Sequence, residues 1–159
     1  IVPPVIKKIK EEGYDIRVNQ QCTTTQKKTI SEYYNKNKIK NYIFTFDENI
    51  LQMMASSNIA ITRSGASTTA ELMHTITPFI SVPLQNSIDN HQFLNAKYYE
   101  DRGCGWILEE NNLNSETLFN VIMNVIKNKK ELENMKKNMK KYLIKDVYNN
   151  IDKNIEDFI

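Results

Sequence analysis

Short β-rich runs alternate with helix-period segments from the start of this chain to Leu108 and then stop. That rhythm builds a parallel sheet whose crossover helices cover both faces. A helix is expected from Val5 to Glu12, after a Pro pair and before Gly13. Asp15 to Gln20 reads as a strand, Gln26 to Asn35 as a helix with Ile30, Tyr33 and Tyr34 on one side, and Tyr42 to Phe46 as the next strand. Ile50 to Ser56 is a short helix with Leu51, Met54 and Ala55 inward. Asn58 to Thr62 is a strand, Ala66 to His74 its helix, and Pro78 to Val82 a strand closed by Pro83. A polar loop, 85–89, leads to a helix from Asn90 to Asp101, and Gly105 to Leu108 is the last strand. Helices follow at Ser115 to Lys127 and Lys129 to Leu143, with a tail from Asn150. The fold class is therefore α/β, a Rossmann-like parallel sheet with helices on both faces. Such sheets bind ligands outside the carboxyl ends of their strands. The loops after Phe46, Thr62 and Val82 share that edge and are expected to converge.

At 159 residues the chain is long enough for one domain with a real core. A net charge of +2 calls for no nucleic-acid partner. Lysines cluster from Lys127 to Lys145, which reads as a solvated helix face, with an anionic membrane surface as the alternative. Cys22 and Cys104 form no CxxC pair, which fits a reducing compartment. No run of about 18 apolar residues exists to span a bilayer, and no charged-then-apolar leader precedes the first helix. The first residue is Ile rather than Met, so the chain is expected to be a piece of something longer.

The chemistry concentrates in Ile61-Thr-Arg-Ser-Gly-Ala-Ser-Thr-Thr-Ala-Glu-Leu72. An apolar run ends in a Gly turn, and a small-residue helix follows. Free N–H groups, the positive end of the helix dipole and Ser/Thr hydroxyls meet there, which is an anion site. Ser64 can cap the helix, Gly65 leaves room for a phosphate, and Glu71 can accept from a diol such as a ribose. Together they suggest a nucleotide diphosphate; an ordinary capped βα unit is the competing account. Arg63 faces either a phosphate or an acid, Glu71 or another. In Phe46-Asp-Glu48, an aromatic or a backbone amide could bracket a base; otherwise Phe46 anchors the loop to the core and Asp47 caps the next helix. In Asp89-Asn-His-Gln92, with Asn95 and Ala96 behind it, Asn or Asp caps the helix while His91 and Gln92 project to the same edge. Amide side chains suit sugar hydroxyls because they donate and accept in one plane. His74 packs against or caps its own helix. Two scattered His and two scattered Cys give no ligand spacing, so neither metal nor cofactor is expected.

Arg63-Ser-Gly-Ala-Ser-Thr-Thr-Ala-Glu71, Pro78-Phe-Ile-Ser-Val-Pro83, Asp89-Asn-His-Gln-Phe-Leu-Asn-Ala96 and Gly103-Cys-Gly-Trp-Ile-Leu-Glu109 occur in this order. The series resembles the nucleotide-sugar half of the MurG family, the bacterial lipid I N-acetylglucosaminyltransferases of GT-B architecture. It runs from about residue 1 to 145 and is most specific from Asn58 to Glu109. The resemblance implies that Arg63, Ser64, Gly65, Ala66, Ser67, Thr68, Thr69, Ala70 and Glu71 line UDP-N-acetylglucosamine, with Thr68 and its neighbours at the diphosphate and Glu71 on the ribose. Gln92, with His91 beside it, would read the N-acetylglucosamine hydroxyls, and the backbone at Asp47, where family members often carry an apolar residue, would contact uracil. It also implies a first strand and Gly-rich loop before Val2, and an N-terminal domain that binds lipid I, meets the membrane and supplies the catalytic base. Residues 146–159, with Ile151, Ile155, Phe158 and Ile159 at apolar spacing, would be a crossover helix. The intact protein would be peripheral on the cytoplasmic face of the inner membrane, and this chain alone inactive. Rival readings are the donor subunit of a two-component N-acetylglucosaminyltransferase, a UDP-sugar epimerase of GT-B-like fold, and a domain that keeps the fold without a ligand.

Overall fold

The computed structural model describes the backbone of residues 1–156 and the side chains of 1–87 and 89–143. Twelve elements alternate in the described chain: α1 (Val2–Glu11), β1 (Arg17–Gln21), α2 (Thr24–Lys36), β2 (Lys40–Phe44), α3 (Ile50–Ala55), β3 (Ala60–Thr62), α4 (Ala66–His74), β4 (Phe79–Ser81), α5 (His91–Glu100), β5 (Gly105–Ile107), α6 (Ser115–Lys127) and α7 (Lys129–Glu156). Every strand pairing is parallel. The strands form two ladders rather than one, β1 with β2 and β3-β4-β5 in that order. The chain divides accordingly into two compact units, 1–53 with 112–127 and 54–111 with 128–159.

In the first unit, prolines open α1, where the missing N–H costs nothing. Its Val5, Ile6 and Ile9 are buried, and α1 packs on α6. The Tyr34 hydroxyl of α2 donates to Gln20 Oε1 at 2.8 Å, tying helix to strand. A left-handed Lys38 turns the chain into β2, and Lys10 Nζ donates to the Asn37 and Lys38 carbonyls at that turn. The inward side expected for α3 is not what forms: Leu51 is 42% exposed and Ala55 is exposed, while Met54, where the second unit begins, packs against that unit's core. Six residues make fewer than two turns, too short for an amphipathic face to be enforced.

The second unit is built on β4, whose Phe79, Ile80 and Ser81 are all buried. A strand sealed on both faces is the signature of a covered parallel sheet. Leu72 and Met73 of α4, Phe79, Cys104, and Met135 and Met139 of α7 form its core, with Tyr99 and Trp106 at the margin. The opposite side of α7 carries exposed Lys129, Lys130, Lys137, Lys140 and Lys141, a solvated face. The α7 backbone continues to Glu156 without the break placed after Leu143. The side chains of 144–159, and with them the apolar spacing of the tail, lie outside the described residues.

Candidate functional site

At the carboxyl edge of β3-β4-β5 three loops emerge, 63–65, 82–90 and 108–114. The first delivers α4. Gly65, in extended backbone, is the N-cap, and no side chain caps the helix. Ser64 therefore does not cap, contrary to expectation. It sits one residue too early, fully buried, its Oγ without a partner. The N–H groups of Ala66, Ser67 and Thr68 are the orphan donors of an uncapped helix start. Ala66, Ser67 and Ala70 are exposed, and Thr68 and Glu71 half-buried. The Glu71 carboxylate has no hydrogen-bond or ion-pair partner among the described residues. Thr69 is different: it is buried, and its hydroxyl donates back to the Gly65 and Ala66 carbonyls at 3.1 and 3.0 Å. It shapes the first turn from inside.

Arg63 does not pair with Glu71. Its Nη2 pairs with Glu110 Oε1 at 2.6 Å, while Nη1 donates to the Val82 and Pro83 carbonyls at 3.1 and 3.4 Å. The second Glu110 oxygen accepts from the Gln85 N–H at 3.1 Å. The guanidinium, and then the Gln85 amide, hold the Glu110 carboxyl below its ordinary range. The sequence signal for Glu110 is slight: an acidic pair, Glu109-Glu110, after the last strand, on the edge Arg63 occupies.

The third contribution comes from α5. Asp89 and Asn90 both take left-handed backbone, and Asn90, the N-cap, makes no side-chain cap; the expected Asn or Asp cap does not form. Gln92 Oε1 accepts from the Leu84 N–H at 3.0 Å. Only an oxygen can accept there, so the amide orientation is fixed and Nε2 alone remains to donate. Asn95 Nδ2 donates to the Ser64 carbonyl at 3.1 Å, pinning the turn before α4. His91 is exposed at the helix start, and so is His74, on the last turn of α4.

The loop after β2 belongs to the other unit. Asp47 accepts from the Tyr42 hydroxyl at 2.7 Å and from the Asn49 N–H at 2.8 Å, and the two bonds hold its carboxyl below the usual range. Asp47 thus organises its own loop. Phe46 is 76% exposed, so the account in which it anchors the loop to the core does not hold.

The chain matches the glycosyltransferase family 28 C-terminal domain over residues 1–151, and it belongs to that family. It is 35% identical over 112 residues to the UDP-N-acetylglucosamine--N-acetylmuramyl-(pentapeptide) pyrophosphoryl-undecaprenol N-acetylglucosamine transferase of Pelagibacter ubique, covering 70% of this chain and 32% of that protein. The Rickettsia prowazekii protein of the same name is 36% identical over 125 residues, 77% of this chain and 32% of that one. The chain thus spans about a third of the length of these relatives. Acinetobacter baumannii MurG superposes with a TM-score of 0.78 at 22% identity, over 88% of this chain and 40% of that one. The glycosyltransferase VinC, solved with dTDP, gives 0.61 at 16% identity over 80% and 31%. At those identities the two structures establish the fold.

Proposed function

We propose that this chain is the donor-binding domain of an inverting glycosyltransferase that moves N-acetylglucosamine from UDP to lipid I, forming lipid II for peptidoglycan. The observation that carries the reading is the uncapped first turn of α4 at the carboxyl edge, with the unpartnered Glu71 farther along the same helix. A diphosphate set against the Ala66, Ser67 and Thr68 N–H groups is met by orphan donors and the positive helix end, without a cation. Glu71 accepts from the ribose hydroxyls. Gln92, through Nε2, donates to the sugar, with His91 beside it. Ser64, Gly65, Thr69 and Ala70 shape the turn, and Arg63 acts on the loops rather than on phosphate. Names carried by the relatives favour this reading over the two-component subunit and the epimerase.

In the transfer, the C4 hydroxyl of the muramoyl sugar attacks the anomeric carbon while the bond to UDP breaks, and a base takes the hydroxyl proton. Negative charge grows on the departing diphosphate, where the α4 N–H groups stabilise it. Losing one such preorganised donor typically costs on the order of 100-fold in rate. The base and the lipid I contacts lie in an N-terminal domain, which also makes the peripheral contact with the cytoplasmic face of the inner membrane. The donor domain is preceded by a strand and a Gly-rich loop. The test is kinetic: in the intact enzyme, Glu71→Ala raises the KM for UDP-N-acetylglucosamine about tenfold or more, the worth of a charge-assisted hydrogen bond. An unchanged KM overturns the assignment of Glu71 to the donor.

A further inference from the structure

Residues Val82 to Gln85 leave the buried strand β4 and are held, one after another, by side chains from outside their own loop. The Val82 and Pro83 carbonyls take Arg63 Nη1, the Leu84 N–H goes to Gln92 Oε1, and the Gln85 N–H goes to Glu110 Oε2. Glu110 Oε1 closes the circuit on Arg63 Nη2. One carboxylate therefore joins the loops after β3, β4 and β5, and the loop it fixes is the one that orients Gln92.

We propose that Glu110 is a positioning residue for the sugar end of the donor. It acts through Arg63 and the Val82–Gln85 backbone to hold Gln92 Nε2 where a sugar hydroxyl can accept from it. This rests on the donor-binding reading above. The pair is half exposed, with side-chain exposures of 47% for Arg63 and 32% for Glu110, and exposed ion pairs add little to global stability. What the pair supplies is local order. A guanidinium fork and a backbone N–H need two acceptor oxygens in one plane, which a carboxylate offers and an amide does not.

The test compares Glu110→Gln, Arg63→Lys and the double variant in the full chain, measuring the dissociation constants of UDP and UDP-N-acetylglucosamine and the melting temperature. In Glu110→Gln, UDP-N-acetylglucosamine binding weakens about three- to tenfold, the scale of one hydrogen bond to the sugar weakened by misplacement of its donor. UDP binding changes less than about twofold, because the α4 donors are untouched, and the melting temperature moves by no more than about 4 °C. The double variant is no worse than the weaker single one, as coupled residues require. In the unaltered chain, the Leu84 and Gln85 amide resonances shift with UDP-N-acetylglucosamine and not with UDP. Equal losses for the two ligands, undiminished sugar-nucleotide binding, or a collapse of the fold overturns the proposal. An unaltered chain that binds neither ligand, even with a preceding strand and Gly-rich loop supplied, overturns the donor reading instead, and this inference falls with it.

Discussion

Tyr34 is fully buried, and burial pushes its hydroxyl far above the ordinary phenol range, so it stays a neutral donor to Gln20 Oε1. Tyr34→Phe keeps the ring and loses one neutral bond, so a destabilisation of about 1 kcal/mol is expected in urea unfolding. Cys104 is likewise buried, with its thiol pushed up to about 11 mainly by desolvation, whereas Cys22 is half-buried. In a Cys22→Ser variant no thiol should react with a disulfide reagent at neutral pH until the chain unfolds; rapid labelling contradicts this. Asp47 and Glu110 both have carboxyl pKa values lowered by folding. Their contribution is therefore present above the unfolded carboxylate value of about 4 and is lost as pH falls through the folded values. A pH series of urea midpoints should fall in acid, and less steeply when Glu110 is Gln. Single residues were the hardest things to read in the sequence. Arg63 was visible as a charge before a turn, yet nothing in one dimension distinguished Glu110 from Glu71 as its partner. A 2.6 Å pair across 47 positions is decided by which strands are neighbours. Ser64 looked like a cap because Ser is the residue type that caps, but the turn placed Gly65 there and buried the hydroxyl.

At the scale of elements, the sheet of the second unit is close-packed where β4 meets β5. A Cβ on Gly105 would lie 2.9–3.1 Å from the Phe79 ring, which is itself buried in the core of that unit. Gly105→Ala is expected to cost about 1–3 kcal/mol through overpacking, read as a lower denaturation midpoint; an unchanged midpoint would mean that the ring yields freely. The strand–helix rhythm was legible because apolar periodicity reports directly on burial. The start of α4 at Ala66 and its end at His74 both fall where the sequence placed them. Short α3 was not legible on its faces, since six residues carry too little periodicity to say which side is buried.

Across the whole molecule, the two units are each assembled from two stretches of chain, with boundaries near 53, 111 and 127. Alternation alone suggested a single sheet, because it reports the sense of the strands and not which strands are neighbours. Strands β1 and β3 each have one partner among the described residues. Native-state hydrogen exchange should therefore resolve two protected blocks whose members change at those boundaries; one uniform block would contradict the division. The proposed donor site lies in the second unit, where the α4 turn, the Arg63–Glu110 clasp and Gln92 stand at one sheet edge.

The most direct test of the account is an amide NMR titration of this chain with UDP-N-acetylglucosamine, UDP-glucose and UDP. The account predicts saturable shifts centred on Ala66 to Glu71 for all three, joined by Gln92 and strongest for the N-acetylglucosamine donor. An absence of saturable shifts up to millimolar ligand, persisting when a preceding strand and Gly-rich loop are supplied, would contradict it.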